Sequence, residues 1–127
     1  MATWSVPFTA FIDRIKAKVD AVPKRALFRL FTTVVTASPV DTGRFRANWN
    51  VGWGKVDYGT SSSVSLVKTA KQLSDIKTHP FTGVVYLTNN LPYARKLEHG
   101  YSAQAPRGMV AVSIALWPAI IRASVKE

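Results

Sequence analysis

The first third of the chain spaces its apolar residues with the period of an α-helix. Between Phe8 and Val35, apolar residues recur at three- and four-residue intervals and charged residues fill the positions between them. Pro23 predicts a break or a kink in this pattern. Pro39 predicts that the helix ends near Ala37, because proline disfavours a helical conformation in the residue before it. The pattern therefore predicts a long N-terminal helix.

The period then changes from that of a helix to that of a strand. Every second residue from Phe45 to Trp53 is apolar or aromatic, and the residues between them are polar or glycine. Strict alternation predicts a strand with one buried and one polar face. The segment Phe81–Thr88 is apolar at both parities and rich in β-branched residues, which predicts an inner strand. Together these segments predict a small, mainly antiparallel sheet.

The remaining segments predict shorter elements. Val64–Ile76 has the spacing of a second helix, and Asn89 or Asn90 is placed to cap a short helix that Gly100 would end. The C-terminal part is ambiguous: Val110–Leu116 alternates like a strand, whereas Trp117–Ser124 has helical spacing. We expect a short strand or extended piece that leads into a C-terminal helix.

Composition adds a size and a charge to this picture. The 127 residues fit one domain, residues 1–127. We predict the α+β class, with a long N-terminal helix and a C-terminal helix packed on a small, mainly antiparallel β-sheet. The net charge of +10 favours acidic partners such as nucleic acid or acidic proteins, but its even spread fits a solubilising surface equally well. The absence of cysteine excludes disulfides and thiolate metal sites and fits a reducing cytoplasm.

The triplet Asp41-Thr42-Gly43 matches the catalytic signature of aspartic proteases, in which two carboxylates share a proton. Arg44 and Arg46 follow at once, and a neighbouring guanidinium hinders proton sharing because it keeps a carboxylate ionised. The plainer interpretation is a turn between helix and strand, in which the Asp41 side chain accepts a backbone N–H and Gly43 takes a positive φ. A dimeric aspartic protease using Asp41 is kept as a remote alternative.

Other candidate chemistry is sparse. Glu98 and His99 are adjacent, so on a helix they point about 100° apart and are badly placed to share a metal. His79 is the other histidine, and the sequence has no phosphate-binding loop, no serine-hydrolase motif and no zinc spacing. We therefore expect no catalytic residue, no metal site and no cofactor.

The segment after the turn mixes basic and aromatic residues, as single-strand nucleic-acid binders do. Alternation, however, places Arg44 and Arg46 on one face of the strand and Trp49 and Trp53 on the other, which predicts that the tryptophans lie in the core. A basic nucleic-acid-binding protein is kept as an alternative function.

Two segments together resemble a known family. SPVDTGRFRANW lies between the long helix and the first strand, and VVYLTNNLPYARKLEHGYSAQAPRGMV follows after a middle region. In this order they resemble the tail-completion or neck family of tailed bacteriophages, also described as minor tail or head–tail joining proteins. His99 departs from the family pattern, which usually has an aromatic residue there. The matching residues are Pro39, Val40, Asp41, Thr42, Gly43 and Arg44, then Asn89 or Asn90, Pro92, Tyr93, Ala94, Leu97, Glu98, Gly100, Gln104, Ala105, Pro106, Gly108, Met109 and Val110.

The resemblance implies a structural virion protein and not an enzyme. It implies a ring of identical subunits, six-fold or twelve-fold, at the head–tail junction or the top of the tail. Its expected partners are adjacent neck or connector proteins, tail-terminator or tail-tube proteins and genome DNA in the channel, with no membrane. The expected location is the virion, after assembly in the cytoplasm of the host bacterium.

The resemblance also indicates which residues matter for structure or assembly. Arg44 and Glu98 are a candidate salt bridge between the two segments, with two separately solvated charges as the alternative. The loop Tyr101–Gly108 is a candidate contact with a neighbouring subunit or a neighbouring ring. The expected structural or assembly residues are Asp41, Thr42, Gly43, Arg44, Asn90, Pro92, Tyr93, Glu98, Gly100, Pro106 and Gly108.

Overall fold

The structure is a computed structural model that describes residues 21–80 and 83–126. In these residues the chain forms five helices and one two-stranded antiparallel sheet, which confirms the α+β class. A 3-10 turn at Arg46–Asn48 precedes the first strand. The elements are α1 (residues 21–36), β1 (Trp49–Trp53), α2 (Val67–Asp75), β2 (Val85–Asn89), α3 (Ala94–Glu98), α4 (Val110–Ala115) and α5 (Trp117–Lys126).

Helix α1 supplies one wall of the core. Its helical residues continue on both sides of Pro23, so the break predicted as one alternative there does not occur, and the helix ends one residue before Ala37. Phe31 and Val34 are buried and pack with residues of β1, α2 and the loop before α4. The predicted part of this helix before residue 21 lies outside the described residues.

Strands β1 and β2 form the sheet, with Trp49 opposite Asn89 and Trp53 opposite Val85. Phe45, Ala47, Trp49 and Val51 are buried as predicted, but Trp53 is only partly buried and the strand itself begins only at Trp49. The predicted polar face is wrong in part, because Asn48 and Asn50 are buried as well. The side-chain amide of Asn48 donates to the backbone carbonyl of Arg44, four residues earlier, at 2.7 Å. This contact favours a helical turn over an extended chain.

Helix α2 lies along the outer edge of β1. The Thr69 hydroxyl donates to the Trp49 carbonyl at 3.0 Å, and the Gln72 side chain accepts from the Val51 amide at 3.0 Å. The predicted apolar stripe of this helix is wrong at its start, because Val67 is 75% exposed while the polar Thr69 is buried. Helix α2 is therefore positioned by polar contacts to the strand edge as well as by its apolar residues.

The predicted strand at Val110–Leu116 is wrong, since residues 110–115 form helix α4. The alternation was misleading because Ile114 and Leu116 are exposed, whereas Ser113 is fully buried and donates to the Met109 carbonyl at 2.6 Å. Helix α5 follows at once and contacts α1 through Ser124, whose carbonyl accepts from Arg25 Nε at 3.1 Å. None of the helices in the described residues has the length and apolar character needed to cross a bilayer.

Candidate functional site

The two segments that carry the family resemblance lie next to each other in the fold. Together they line a surface cleft of about 650 Å³ between the turn after α1 and the region around α3. The cleft shows that residues about 60 positions apart in sequence form one local structure. Its lining residues are Pro39, Asp41, Thr42, Gly43, Arg44, Phe45, Tyr93, Leu97, Tyr101, Ser102 and Gln104.

A paired hydrogen bond joins the two segments directly. The Gln104 side chain accepts from the Val40 amide at 2.8 Å and donates to the Val40 carbonyl at 3.0 Å. A single side-chain amide thus pairs with both backbone groups of one residue, as a neighbouring strand would. This contact holds the loop after Tyr101 against the turn after α1.

The start of the first segment is tied to the end of α1. Arg46 donates through Nη2 to the carbonyls of Thr36 and Ser38, each at 2.9 Å, and so satisfies carbonyls left open at the helix C-terminus. The Ser38 hydroxyl donates to the Val34 carbonyl at 2.9 Å and accepts from Trp49 Nε1 at 2.8 Å. Trp49 is therefore a buried core residue, as predicted, and is not available as a stacking platform for bases.

The triplet Asp41-Thr42-Gly43 forms the predicted turn with different hydrogen bonding. Thr42, and not Asp41, accepts the backbone N–H two residues on, from Arg44 at 3.3 Å. Gly43 has a φ of +95°, and a Cβ there would lie 3.0 Å from the Val64 carbonyl oxygen, so glycine is required by both backbone and space. Asp41 is exposed at the rim of the cleft.

Aromatic and amide contacts connect the turn to the second segment. Phe45 packs its ring on Tyr93 and on Trp49, with ring centroids 5.9 Å apart in both pairs. Asn89 donates to the Phe45 carbonyl at 2.9 Å and accepts from the Leu91 amide at 3.3 Å. Asn89 therefore stabilises the turn before α3. The predicted capping of α3 by Asn89 or Asn90 is wrong, because the N-cap residue of this helix is Tyr93.

Glu98 is the one acidic residue of the second segment, and its side chain is fully engaged in hydrogen bonds. Its carboxylate accepts from the backbone amides of Met109 at 2.9 Å, Val110 at 2.8 Å and Ala111 at 3.0 Å. These amides begin α4 and have no partners within that helix, so a carboxylate from α3 caps α4 across the loop. This contact fixes the two ends of the loop Tyr101–Gly108.

The same contacts set the charge state of Glu98. Burial raises its pKa, but the hydrogen bonds from Val110, Met109 and Ala111 favour the ionised form, and nearby His99 acts in the same direction. The pKa of the Glu98 carboxyl is consequently lowered from its ordinary value. Glu98 therefore acts as an anionic cap over the neutral pH range.

Two glycines allow the loop to close on itself. Gly100 has a φ of +88° and packs against the Pro106 carbonyl, and Gly108 has a φ of +84° and packs against Glu98. A Cβ at Gly108 would lie 2.6 Å from the Glu98 carboxylate and closer still to its carbonyl. Gly100 ends α3, as predicted, and both glycines are needed for the compact loop.

The structure gives Arg44 and Glu98 different partners from the predicted salt bridge. Arg44 Nε donates to the Ser61 carbonyl at 3.1 Å, while both oxygens of Glu98 cap α4. Over residues 21–80 and 83–126 no ion pair joins these two side chains. A carboxylate placed among three backbone N–H groups satisfies its charge locally, which explains why it does not need the arginine.

An unpredicted layer of asparagines covers the polar face of β1. Asn48 and Asn50 are buried and bond to the loop that follows the strand, at Ser61 and Gly59. Asn90 donates to the carbonyls of the same loop at 2.8 and 3.0 Å. The face that alternation marked as solvent-facing is therefore an internal polar contact, and the side-chain amides replace water as partners of the loop backbone.

The described residues that line the cleft include few groups that can carry a charge or a proton. Among the described residues that line the cleft, Asp41 is the sole carboxylate. His79 stacks on Trp53 with ring centroids 3.7 Å apart and is not one of the cleft-lining residues. No group of three or more potential metal ligands occurs in the part of the chain that the structure describes.

Comparison of the chain with protein-family models, with curated proteins and with solved structures finds no match. The geometry of the site and the motifs quoted above are therefore what bears on function. Sequence reasoning missed Arg46 as the cap of α1 and the buried role of Asn48 and Asn50. An arginine a few residues past a helix end is a usable signal for such a cap, whereas nothing in the alternating pattern distinguishes buried asparagines from exposed ones.

Proposed function

We propose that the protein is a structural virion subunit of a tailed bacteriophage. In this proposal copies of the chain form part of a ring at the head–tail junction or at the top of the tail, around the DNA channel. The ring completes the tail and helps to join it to the head, with neck or connector proteins on one side and tail-terminator or tail-tube proteins on the other. We further propose that the complete fold has a long N-terminal helix and a C-terminal helix packed on the small sheet.

One observation supports the proposal: the two resembling segments are in contact, and their side chains bind and position backbone groups of the loops. Gln104 pairs with Val40, Glu98 caps α4, and Gly43, Gly100 and Gly108 have positive φ angles. Such roles explain why these residue types occur at this spacing without any catalytic chemistry. They support a rigid surface loop, which is what a protein that works by contact requires.

The loop Tyr101–Gly108 is the proposed contact with a neighbouring subunit or ring. It is held at both ends by the Glu98 cap and in the middle by Gln104, so little conformational entropy is lost when it binds. Tyr101 projects from it with 79% of its surface exposed. An exposed tyrosine on a rigid loop is well suited to a protein interface, since the ring buries a large area at low entropic cost.

Electron microscopy of phage particles tests the proposal. Virions would be prepared from phage that lack this gene and from the same deletion complemented in trans. Separate filled heads and tails, or heads that leak DNA, are the expected result, with normal particles restored on complementation. Intact infectious particles without the protein would refute the junction role.

A matched pair of variants tests the loop within the same assay. Tyr58 and Tyr101 are each 79% exposed, but Tyr58 lies outside the two resembling segments. Complementation with Tyr101→Ala should give fewer joined particles, whereas Tyr58→Ala should behave like the wild type. Equal yields from the two variants would exclude Tyr101 from the contact.

Nucleic-acid binding is the second candidate, and one feature favours it. Arg95, Lys96 and His99 line a shallow cleft of about 540 Å³ beside Tyr101, and Lys96 Nζ lies 5.8 Å from the centre of that ring. Binding to DNA that weakens steeply with salt, and weakens further in Arg95→Ala, would support this function. Salt-independent or undetectable binding would remove it.

A further inference from the structure

Strand β2 has one edge that no other part of the described chain covers. The Val51 amide donates outward to Gln72, so Val51 and the residue opposite it, Leu87, do not bond to each other. Because antiparallel ladders alternate, the bonded pairs of this sheet are Asn50 with Thr88 and Gly52 with Tyr86. The N–H and C=O groups of Val85, Leu87 and Asn89 therefore point away from β1, to the outer edge of the two-stranded sheet.

The two edges of the sheet are treated differently. Side chains of α2 occupy the outer edge of β1, where Thr69 and Gln72 bond to its backbone. No residue of the described chain does the same for β2, all of whose residues are partly exposed. Proteins usually protect such an edge with a charged side chain, a proline or a bulge, since it can otherwise pair with another strand.

The charge pattern of the chain indicates what can occupy this edge. From Thr78 to Ala94 the sequence contains no Asp, Glu, Lys or Arg, although the whole chain has a net charge of +10. A foreign partner chosen by charge would be acidic and would meet basic side chains. A second copy of this chain would be repelled by those side chains and can approach most closely where they are absent. The uncharged edge therefore favours a second copy.

We propose that β2 pairs antiparallel with β2 of a second copy, with the two-fold axis at Leu87. This register places Val85 opposite Asn89 of the second copy and Leu87 opposite its own counterpart, so all three outward-facing residues find partners. A register centred on either other residue would leave part of the edge unpaired. The result is a continuous four-stranded sheet, which is a more stable unit than the two-stranded sheet of one chain.

The side chains of β2 fit this pairing on both faces. Val85 and Leu87 are partly buried against the core cluster, and a second strand would cover more of their surface. Tyr86 and Thr88 lie on the opposite face and become a cross-strand pair between copies. The contact uses the same surface on both copies and joins two of them, so it goes beyond the ring of the proposed function, which needs a head-to-tail contact elsewhere.

Amide hydrogen exchange, read together with sedimentation, tests the proposal residue by residue. Backbone amides of Tyr86 and Thr88, bonded to β1, should exchange slowly at all protein concentrations. Those of Val85 and Leu87 should exchange rapidly in dilute protein and slow down as the dimer forms at higher concentration. A chain that stays monomeric up to several hundred micromolar, or a dimer in which Val85 and Leu87 still exchange rapidly, would overturn the proposal.

A pair of substitutions at Val85 distinguishes the loss of the backbone N–H at the strand edge from the loss of side-chain packing. Val85→Pro removes one outward N–H at the first position of the strand, where proline is tolerated, and the two-fold axis doubles the loss. Val85→Ala removes a similar part of the packing but keeps the N–H. We expect dimerisation weaker by about tenfold or more in Val85→Pro than in Val85→Ala, with both variants folded by circular dichroism. Equal dimerisation of the two variants would contradict the edge contact.

The register is tested by disulfide formation, since the chain has no native cysteine. In the proposed pairing Tyr86 faces Thr88 of the second copy as a non-hydrogen-bonded pair, whose Cβ atoms lie about 4.5–5.5 Å apart. Mixing Tyr86→Cys with Thr88→Cys under mild oxidation should give the mixed disulfide dimer in excess of either homodimer. Homodimers in excess would place the axis elsewhere and refute the register. None of these results depends on the phage assay, so this proposal and the proposed function can fail separately.

Discussion

Replacing Glu98 with glutamine should destabilise the protein at neutral pH by about 1–2 kcal/mol. Glu98→Gln keeps one acceptor oxygen, which can still receive the amides of Met109 and Val110. The new amide group, however, faces the Ala111 N–H, so two donors meet where a charge-assisted bond of 3.0 Å was. The favourable interaction of the carboxylate charge with the start of α4 is also lost. Helix α4 has six residues and cannot form alone, so its cap is needed for its stability.

The expected loss is visible in thermal unfolding followed by circular dichroism. For a domain of this size, 1–2 kcal/mol corresponds to a Tm lower by about 4–8 °C. Asp75→Asn is the matched control: it removes the same charge from an exposed acid that makes no side-chain hydrogen bond in the described structure. This control should melt within about 2 °C of the wild type.

The pH dependence distinguishes an ionised cap from simple packing. The folded pKa of Glu98 is lowered below its ordinary value of 4.5, so its contribution to stability is present above that value. As the pH falls through the lower folded pKa, the wild type loses this contribution and approaches Glu98→Gln, which has no charge to lose. The difference in Tm should therefore be constant from pH 7 down to about 5 and shrink in stronger acid. A difference that persists unchanged at pH 2.5, or equal melting at pH 7, would refute the ionised cap.

Three further substitutions test other contacts of the site. Gly108→Ala should lower the free energy of unfolding, measured in urea, by about 2–3 kcal/mol, because the new Cβ meets Glu98. Gly54 also has a positive φ but has open space around it, so Gly54→Ala should lower the free energy of unfolding by only about 1 kcal/mol. Equal losses in the two variants would contradict the steric argument. Arg46→Ala should cost about 1–3 kcal/mol, since the carbonyls at the end of α1 lose their partner, and a cost within error of zero would remove the cap. Gln104→Ala should leave most stability intact but accelerate exchange of the Val40 amide, and unchanged exchange would show that the pair is not formed in solution.

Sequence patterns predicted the buried residues better than the elements that carry them. Alternation from Phe45 to Trp53 correctly marked Ala47, Trp49 and Val51 as buried, although the first part of that segment is a 3-10 turn. Both conformations bury the same side chains, so periodicity cannot separate them over three residues. The cause of the turn, the Asn48 side chain bonding back to Arg44, is a local polar contact that apolar spacing does not contain.

The failed strand near the C-terminus has a non-local cause. Val110–Leu116 alternates like a strand, and its own residues contain no signal for a helix start. The cap comes from Glu98, eleven or more residues earlier, and only the folded chain brings it there. For the site, the two segments quoted from the sequence line one cleft, but Asn90, Glu98 and Gly108 are not among its lining residues. Which contacts each residue makes depended on three-dimensional placement. The salt bridge expected between Arg44 and Glu98 was a reasonable pairing of opposite charges that backbone N–H groups displaced.

The contact between the two segments also determines when parts of the chain can fold during synthesis. Val40 and Gln104 are 64 residues apart, and Arg25 reaches Ser124 across 99 residues. A growing chain that has emerged from the ribosome with α1 and the sheet alone still lacks Gln104 and Ser124. Contacts between residues so far apart in sequence also form slowly, because the intervening chain must close into a loop first. The surface loop that we propose for assembly therefore takes its final shape late, after nearly all of the described chain has been made. Unfinished chains would present a different surface, so the assembly that we propose would be open to folded subunits only.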